Sequence, residues 1–285
     1  MTTRPSPDPA SAVARFRALH GSGCFVLPNP WDRGSAIALE TIGFQALATT
    51  SAGAAFTMGL PDEVKAVGRD AMLAHIRELV SATRLPVNAD FQNGYADEPL
   101  DVATNVALCV ATGAAGLSIE DATGDAARPL YEKRLAVERV VAARRAIDES
   151  GVPVVLTARC EAWLVGDPDP LATALDRLAA YADAGADCLY APGARDSAAI
   201  AAIVKTCAPR PVNVLAFVSA PELTVPRLAE LGVRRVSVGS ALSRVAWGAF
   251  LRAARAIAAS GTFESFEGMA PFAELNALFR DHSMR

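Results

Sequence analysis

Two carboxylates, Asp90 and Glu120, each close a short apolar run, PVNAD (86–90) and GLSIED (116–121). At the ends of neighbouring parallel strands they meet where α/β barrels build oxygen-rich metal sites and active sites. Asp121 adds a third acid. Acids so placed repel one another, and a hard divalent cation is the common reason to tolerate them, with an arginine-paired cluster as the alternative. Arg159 ends the run VPVVLTAR (152–159), where its guanidinium can grip a substrate carboxylate or phosphonate, pair with Glu120 or Glu161, or do both. After ALATT (46–50), the stretch Thr49-Thr50-Ser51-Ala52-Gly53 reads as a small polar turn. Its N–H groups can hold a carboxylate or enolate oxygen, though an ordinary tight turn explains it equally well. Asn213, in PVNVLA (211–216), is either a hydrogen-bond partner for substrate or a satisfied core amide.

Other chemistries find little support. His20, His75 and His282 all fall away from strand ends, which argues against a Ser-His-Asp hydrolase and against histidine-ligated zinc. Cys24, Cys109, Cys160, Cys188 and Cys207 lie far apart without a C-x-x-C pair, so they read as buried reduced thiols, Cys160 included. With 27 Lys+Arg against 31 Asp+Glu, net −4, there is no basic field for nucleic acid or acidic membranes. No apolar run reaches the roughly 18 residues of a membrane span. A soluble, cytoplasmic protein with a small-molecule partner is expected. Residues 1–10, MTTRPSPDPA, read as a flexible tail and not a signal peptide.

Eight short apolar runs supply the strands: 24–29, 46–50, 86–90, 116–121, 152–159, 188–193, 211–216 and 234–239. Between them lie amphipathic stretches, including 69–83, 101–112, 136–150 and 169–184. Gly43, Gly113, Gly151, Gly185 and Gly232 follow helices as left-handed stops. Eight βα units and no Gly-x-Gly-x-x-Gly turn predict a (β/α)8 TIM-type barrel, one domain over residues 1–285. Apolar faces at 241–260 and 272–279 predict extra C-terminal helices over 241–285 that pack on a partner subunit.

From about Asn29 to about Arg244 the chain resembles the isocitrate lyase and phosphoenolpyruvate mutase superfamily. NPWDRGSAIALETIGFQALATTSAGAAFTMGLPD is similar to the family's opening segment, PVNADFQNGYAD to its metal motif, and LSIED, LTAR and RRVSVGSALSR to later motifs. The resemblance implies Thr50, Ser51 and Ala52 as the substrate-binding turn and Asp62 as a site aspartate. It further implies Asp90 as the direct Mg²⁺ ligand, with Mn²⁺ as a substitute, Glu120 as the acid that holds the ion through water, and Arg159 as the substrate-anion arginine. A homo-oligomer, tetramer or dimer, that exchanges C-terminal helices is implied too.

Departures narrow the activity. The motif's second acid is replaced by Gln92, with one extra residue before Gly94, which lowers the expected metal affinity. The loop K-[KR]-C-G-H of the isocitrate and methylisocitrate lyases is replaced by ATGDAARPLYEKRLA, and the histidine of the phosphonate enzymes after strand six is missing from LYAPG. The expectation is therefore a Mg²⁺-dependent carbon–carbon lyase acting on a small 2-oxo or 2-hydroxy acid through an enolate. Carbon–phosphorus chemistry and a catalytically silent 2-oxo acid binder are the alternatives. Asp62, Tyr95, Tyr131 and Lys133 are the candidate proton carriers.

Overall fold

The computed structural model describes residues 9–284, apart from 65, 219, 221 and 222. The eight apolar runs become β1 (Phe25–Leu27), β2 (Leu47–Ala48), β3 (Val87–Asp90), β4 (Gly116–Glu120), β5 (Val155–Arg159), β6 (Cys188–Tyr190), β7 (Val212–Leu215) and β8 (Arg235–Ser237). All neighbours pair in parallel, in the order β1-β8-β7-β6-β5-β4-β3-β2. This is the (β/α)8 barrel that the repeated units predict. The fifth strand is shorter than its apolar run: Val154 N–H turns back onto the Val152 carbonyl, and pairing begins at Val155.

Among the described residues eleven α-helices surround the strands: α1 (Pro9–Leu19), α2 (Arg33–Ile42), α3 (Ser51–Thr57), α4 (Arg69–Ala82), α5 (Pro99–Val110), α6 (Lys133–Glu149), α7 (Pro170–Asp183), α8 (Ser197–Cys207), α9 (Val225–Glu230), α10 (Ala241–Ser260) and α11 (Phe272–Met284). Asp32, Asp169 and Asp196 cap α2, α7 and α8 by accepting a backbone N–H of the first turn. The five predicted stop glycines all lie in the left-handed region, with φ from 70° to 104°.

Two segments differ from expectation. The polar stretch 49–53 is not an open turn: Thr50 caps α3, its hydroxyl accepting the Gly53 N–H at 3.2 Å. A run of small residues hides a helix from periodicity because it offers no apolar stripe. Near the N-terminus, the expected tail ends earlier than residue 10: Pro9 opens α1, while residues 1–8 lie outside the described residues. Helix α1 covers the end of the barrel at which the strands start. Its Phe16 is fully buried against Gly116, where any Cβ would sit 2.7 Å from the Phe16 ring and from Asn88 Oδ1.

No strand ladder joins β1 to β2 among the described residues, and the seam is held by other means. Ala48 N–H donates to the Pro28 carbonyl at 3.0 Å. Asn29, buried beside it, donates from Nδ2 to the Thr49 carbonyl at 2.8 Å. Its Oδ1 accepts the N–H groups of Val238 and Gly239 at 3.0 and 2.8 Å. One carboxamide thus ties the ends of β1, β2 and β8 together.

Helices α10 and α11 and the segment between them carry an apolar surface: Val245 in α10 is 70 % exposed, Met269 in the connection 73 % and Phe272 in α11 86 %. Among the described residues no helix is long and apolar enough to cross a membrane.

His20, below the barrel, is held neutral. Burial, then the Arg235 guanidinium at 3.3 Å from its Nε2, depress its pKa from 6.5 to about 3. In the unfolded chain it protonates first, so its contribution to stability is complete above pH 6.5 and is lost as pH falls from 6.5 toward 3. Urea titrations should show His20→Gln losing about 2 kcal/mol less than the parent between pH 7.5 and 5.

Candidate active site

Parallel register places the ends of β3, β4 and β5 side by side, with Glu120 directly opposite Arg159. Arg159 pairs with three carboxylates at once: Nη1 donates to Asp90 Oδ1 at 2.7 Å, Nε donates to Glu161 Oε1 at 2.9 Å, and Nη2 lies 3.1 Å from Glu120 Oε2 in an ion pair. These side chains are between 5 and 16 % exposed. One cation therefore serves three buried anions. Burial raises the Glu120 carboxyl to about 8, with Arg159 opposing and the neighbouring acids adding to the rise; Glu161 is raised for the same reasons.

The other oxygen of Asp90, Oδ2, accepts the Ser51 N–H at 2.9 Å, and the Asp90 N–H donates to Thr49 Oγ1 at 2.8 Å. The Ser51 N–H, which the sequence reading offers to a substrate carboxylate or enolate oxygen, here donates to the Asp90 carboxylate. Asp62 comes from the loop after α3, and desolvation, then the Asp90 charge, raises its carboxyl; Arg159 and the Ser51 hydroxyl oppose.

Thr50, Ser51, Ala52, Asp62, Asp90, Arg159 and Asn213 all line one cleft of about 230 Å³. That is below the roughly 300–1,000 Å³ of sites for drug-sized ligands and suits a small acid. Glu120 lies behind Arg159, off the cleft wall. Asp121 leaves the cluster altogether: it accepts the Tyr181 hydroxyl at 2.6 Å, Arg177 Nη1 at 3.1 Å and the Glu161 N–H at 2.8 Å. Successive side chains on a strand face opposite ways, so adjacent acids in sequence do not share a site. Asn213 lines the cleft and is a satisfied core amide: it accepts from Arg235 Nε and donates to Ser237 Oγ, each at 2.9 Å.

Of the four candidate proton carriers, Asp62 alone lines the cleft. Tyr131 donates to Asp97 at 2.5 Å and accepts from Asn93, and Lys133 pairs with Asp176 at 2.6 Å. Tyr95 is held outside the cleft. The sequence reading missed Tyr190, Arg235 and Ser237, which line the cleft from β6 and β8. The strand-end rule applied to 188–193 would have found Tyr190, whose register partner is Asn213.

Gln92 is buried but does not line the cleft. Together with Gly94 and Tyr95 it takes a left-handed backbone, φ 43°, 72° and 57°. The extra residue of the motif is absorbed there, and Arg139 clamps the loop by donating to the carbonyls of Asn93, Ala96 and Asp97. Among the described residues no three acidic, histidine or cysteine side chains converge tightly enough to cage an ion. The donor set instead suits a cation that keeps most of its water and takes one or two carboxylates, as Mg²⁺ does. One feature of the site fits such an ion: a surplus of carboxyl groups over the single Arg159.

Removing the shared cation should be costly. Arg159→Met is expected to lose about 3–5 kcal/mol at pH 7.5, because it strands charges in a buried site. Urea denaturation at pH 5 should show a smaller loss, since the raised carboxyls then take up protons in the folded state.

The sequence profile of the family described as phosphoenolpyruvate phosphomutase matches residues 16–258. An uncharacterized protein of Mycobacterium tuberculosis (strain H37Rv) is 36 % identical over 95 % of this chain and 98 % of its own. The 2-methylisocitrate lyase of Salmonella typhimurium is 35 % identical over 54 % of this chain and 53 % of its own. Among solved structures, a provisionally named lyase/mutase from Burkholderia cenocepacia J2315 is 49 % identical with a TM-score of 0.91, covering 95 % of this chain and 97 % of that one. A 2,3-dimethylmalate lyase structure is 25 % identical with a TM-score of 0.83, covering 98 % of each chain. With these matches, and the acid-bearing barrel rim that they share a fold with, the chain belongs to the phosphoenolpyruvate phosphomutase family, within the isocitrate lyase and phosphoenolpyruvate mutase superfamily.

Proposed function

We propose that this protein is a divalent-metal-dependent lyase that breaks a carbon–carbon bond of a small 2-oxo or 2-hydroxy acid, by retro-aldol cleavage or decarboxylation, through an enolate. The observation that carries the reading is the carboxylate cluster at the ends of β3, β4 and β5, short of positive charge and set against a small cleft. Relatives named 2-methylisocitrate lyase and 2,3-dimethylmalate lyase support carbon–carbon chemistry. So does Ala191-Pro192-Gly193 after β6, which offers no histidine for phosphonate chemistry.

In this reading Asp90 and Glu120 hold the ion, Mg²⁺ or Mn²⁺. When bound, the ion draws electron density from the carboxylate and 2-oxo oxygens of the acid and so favours the enolate. The protein's own groups do the rest. Arg159 commits two of its five N–H groups to hydrogen bonds with Asp90 and Glu161, which leaves others for an anionic group of the acid. Thr50, Ser51 and Ala52 form the wall against which the substrate carboxylate lies, and Asn213 offers its remaining amide hydrogen from the opposite wall. Asp62, whose carboxyl is raised by burial and by the Asp90 charge, lines the cleft as its candidate acid–base group. The exposed faces of α10 and α11 fit a homo-oligomer, tetramer or dimer, built through residues 241–284.

Release of a 2-oxo acid from oxaloacetate, 2-methylisocitrate, substituted malates and phosphonopyruvate, with Mg²⁺ and with chelator, tests the assignment. Metal-dependent release from one carbon-only substrate is expected, falling at least about 100-fold in Asp90→Ala. Release from phosphonopyruvate alone assigns carbon–phosphorus chemistry instead. Thermal stabilisation by 2-oxo acids without any release makes the protein a binder.

A further inference from the structure

A lyase that leaves an enolate needs a group to protonate carbon, and the wall of the cleft opposite the acids holds one. Tyr190, the last residue of β6, lines the cleft and is 7 % exposed. Its ring lies beneath Arg159, whose Cζ is 5.2 Å from the ring centroid. Beside it runs a chain of hydrogen bonds with a fixed direction. It starts at Arg235, which is 2 % exposed and has no carboxylate partner among the described residues; its Nη2 donates to Thr157 Oγ1 at 3.0 Å and its Nη1 faces His20 Nε2. Nε donates to Asn213 Oδ1 at 2.9 Å. That bond settles which end of the carboxamide is oxygen, so Nδ2 donates to Ser237 Oγ at 2.9 Å. The Ser237 hydroxyl, so occupied, lines the same cleft as Tyr190 and acts on the phenol as a hydrogen-bond partner that lowers its pKa. The bonds from Arg235 to Asn213 and from Asn213 to Ser237 both donate onward from a buried cation.

We propose that Tyr190 is the proton donor of this site, its hydroxyl aimed into the cleft by the chain Arg235–Asn213–Ser237. The proposal rests on the lyase reading and adds the donor to it. When the carbon–carbon bond breaks, its electron pair passes into the enolate of the 2-oxo acid. The Tyr190 O–H bond then breaks, and the enolate pair forms a C–H bond with that proton. The pair left on the phenolate oxygen faces the Ser237 hydroxyl and the Arg159 guanidinium, and a proton from water restores the phenol. No oxidant or reductant takes part. Burial keeps the phenol protonated through neutral pH, pushing it up to about 12, while Arg159 and Ser237 act to stabilise the phenolate once it forms. Arg235 acts through Asn213 and Ser237 and is a positioning residue. The competing donor, Asp62, stands across the cleft with its carboxyl toward Ser51.

The donor can be read apart from bond cleavage by running the protonation backwards. Wild-type protein with Mg²⁺ and pyruvate or 2-oxobutyrate in D₂O should exchange the hydrogens next to the 2-oxo carbon, seen as loss of the proton NMR signal. Tyr190→Phe should slow the exchange at least about 100-fold, with oxalate affinity and the thermal midpoint near the parent values. Ser237→Ala leaves the phenol in place and removes its orienting partner; about a tenfold loss is expected. Exchange within about threefold of wild type in Tyr190→Phe overturns the proposal. So does exchange lost in Asp62→Asn and untouched in Ser237→Ala. If wild type exchanges neither acid and releases none from the substrate panel, the lyase reading itself falls; exchange in wild type that survives in Tyr190→Phe removes the donor alone.

Discussion

One guanidinium shared among three buried carboxylates organises the catalytic end of this barrel. Arg159 meets Asp90, Glu120 and Glu161 within 3.1 Å, and none of the four groups is more than 16 % exposed. Isolated charges do not survive such burial, and two partners of opposite sign survive it only with good geometry. The arrangement is therefore stable as a unit and fragile in its parts. It also leaves a standing deficit of positive charge at this rim of the barrel. The raised Glu120 and Asp62 carboxyls express the same deficit.

Much of the surrounding fold serves to hold that unit against its own repulsion. The Ser51 N–H at the start of α3 and the Thr49 hydroxyl fix Asp90 from one side. Asp121, next in sequence to Glu120, faces away and is neutralised by Arg177 and Tyr181, so it anchors the Glu161 backbone without adding charge to the cluster. Arg139 clamps the left-handed loop after β3, which would otherwise relax and carry the Asp90 end of the strand with it. Below, α1 plugs the barrel and brings neutral His20 against Arg235. The second buried cation is thereby held by neutral partners, with the cleft between it and the acids. A cleft with acids on the β3–β5 side and Arg235 on the β8 side orients a bound acid by its field before any specific contact forms.

The eight apolar runs, the stop glycines and the carboxylates that end two of the runs were legible because each follows from short-range rules. Strands buried on both faces are apolar throughout, helices end where only glycine fits the backbone, and strand ends of a barrel carry chemistry. So the barrel, the proximity of Asp90 to Glu120, and the presence of Arg159 near both could be read from residue type and spacing alone. What the chain order could not show was allegiance. Whether Arg159 faces substrate or acids, whether Asp121 joins Glu120, and whether Ser51 offers its N–H outward or to Asp90 depend on side-chain direction and on partners 39 to 69 residues away. The helix at 51–57 was hidden because small residues carry no periodic signal, and the bonds from Arg235 through Asn213 to Ser237 because their members come from two strands that become neighbours only when the sheet pairs. Sequence determined which groups are available at the rim, since composition and periodicity are local. Tertiary structure decided which of them face one another, since pairing of buried charges and hydrogen-bond donors is settled by the distances and directions that exist only once the sheet has closed.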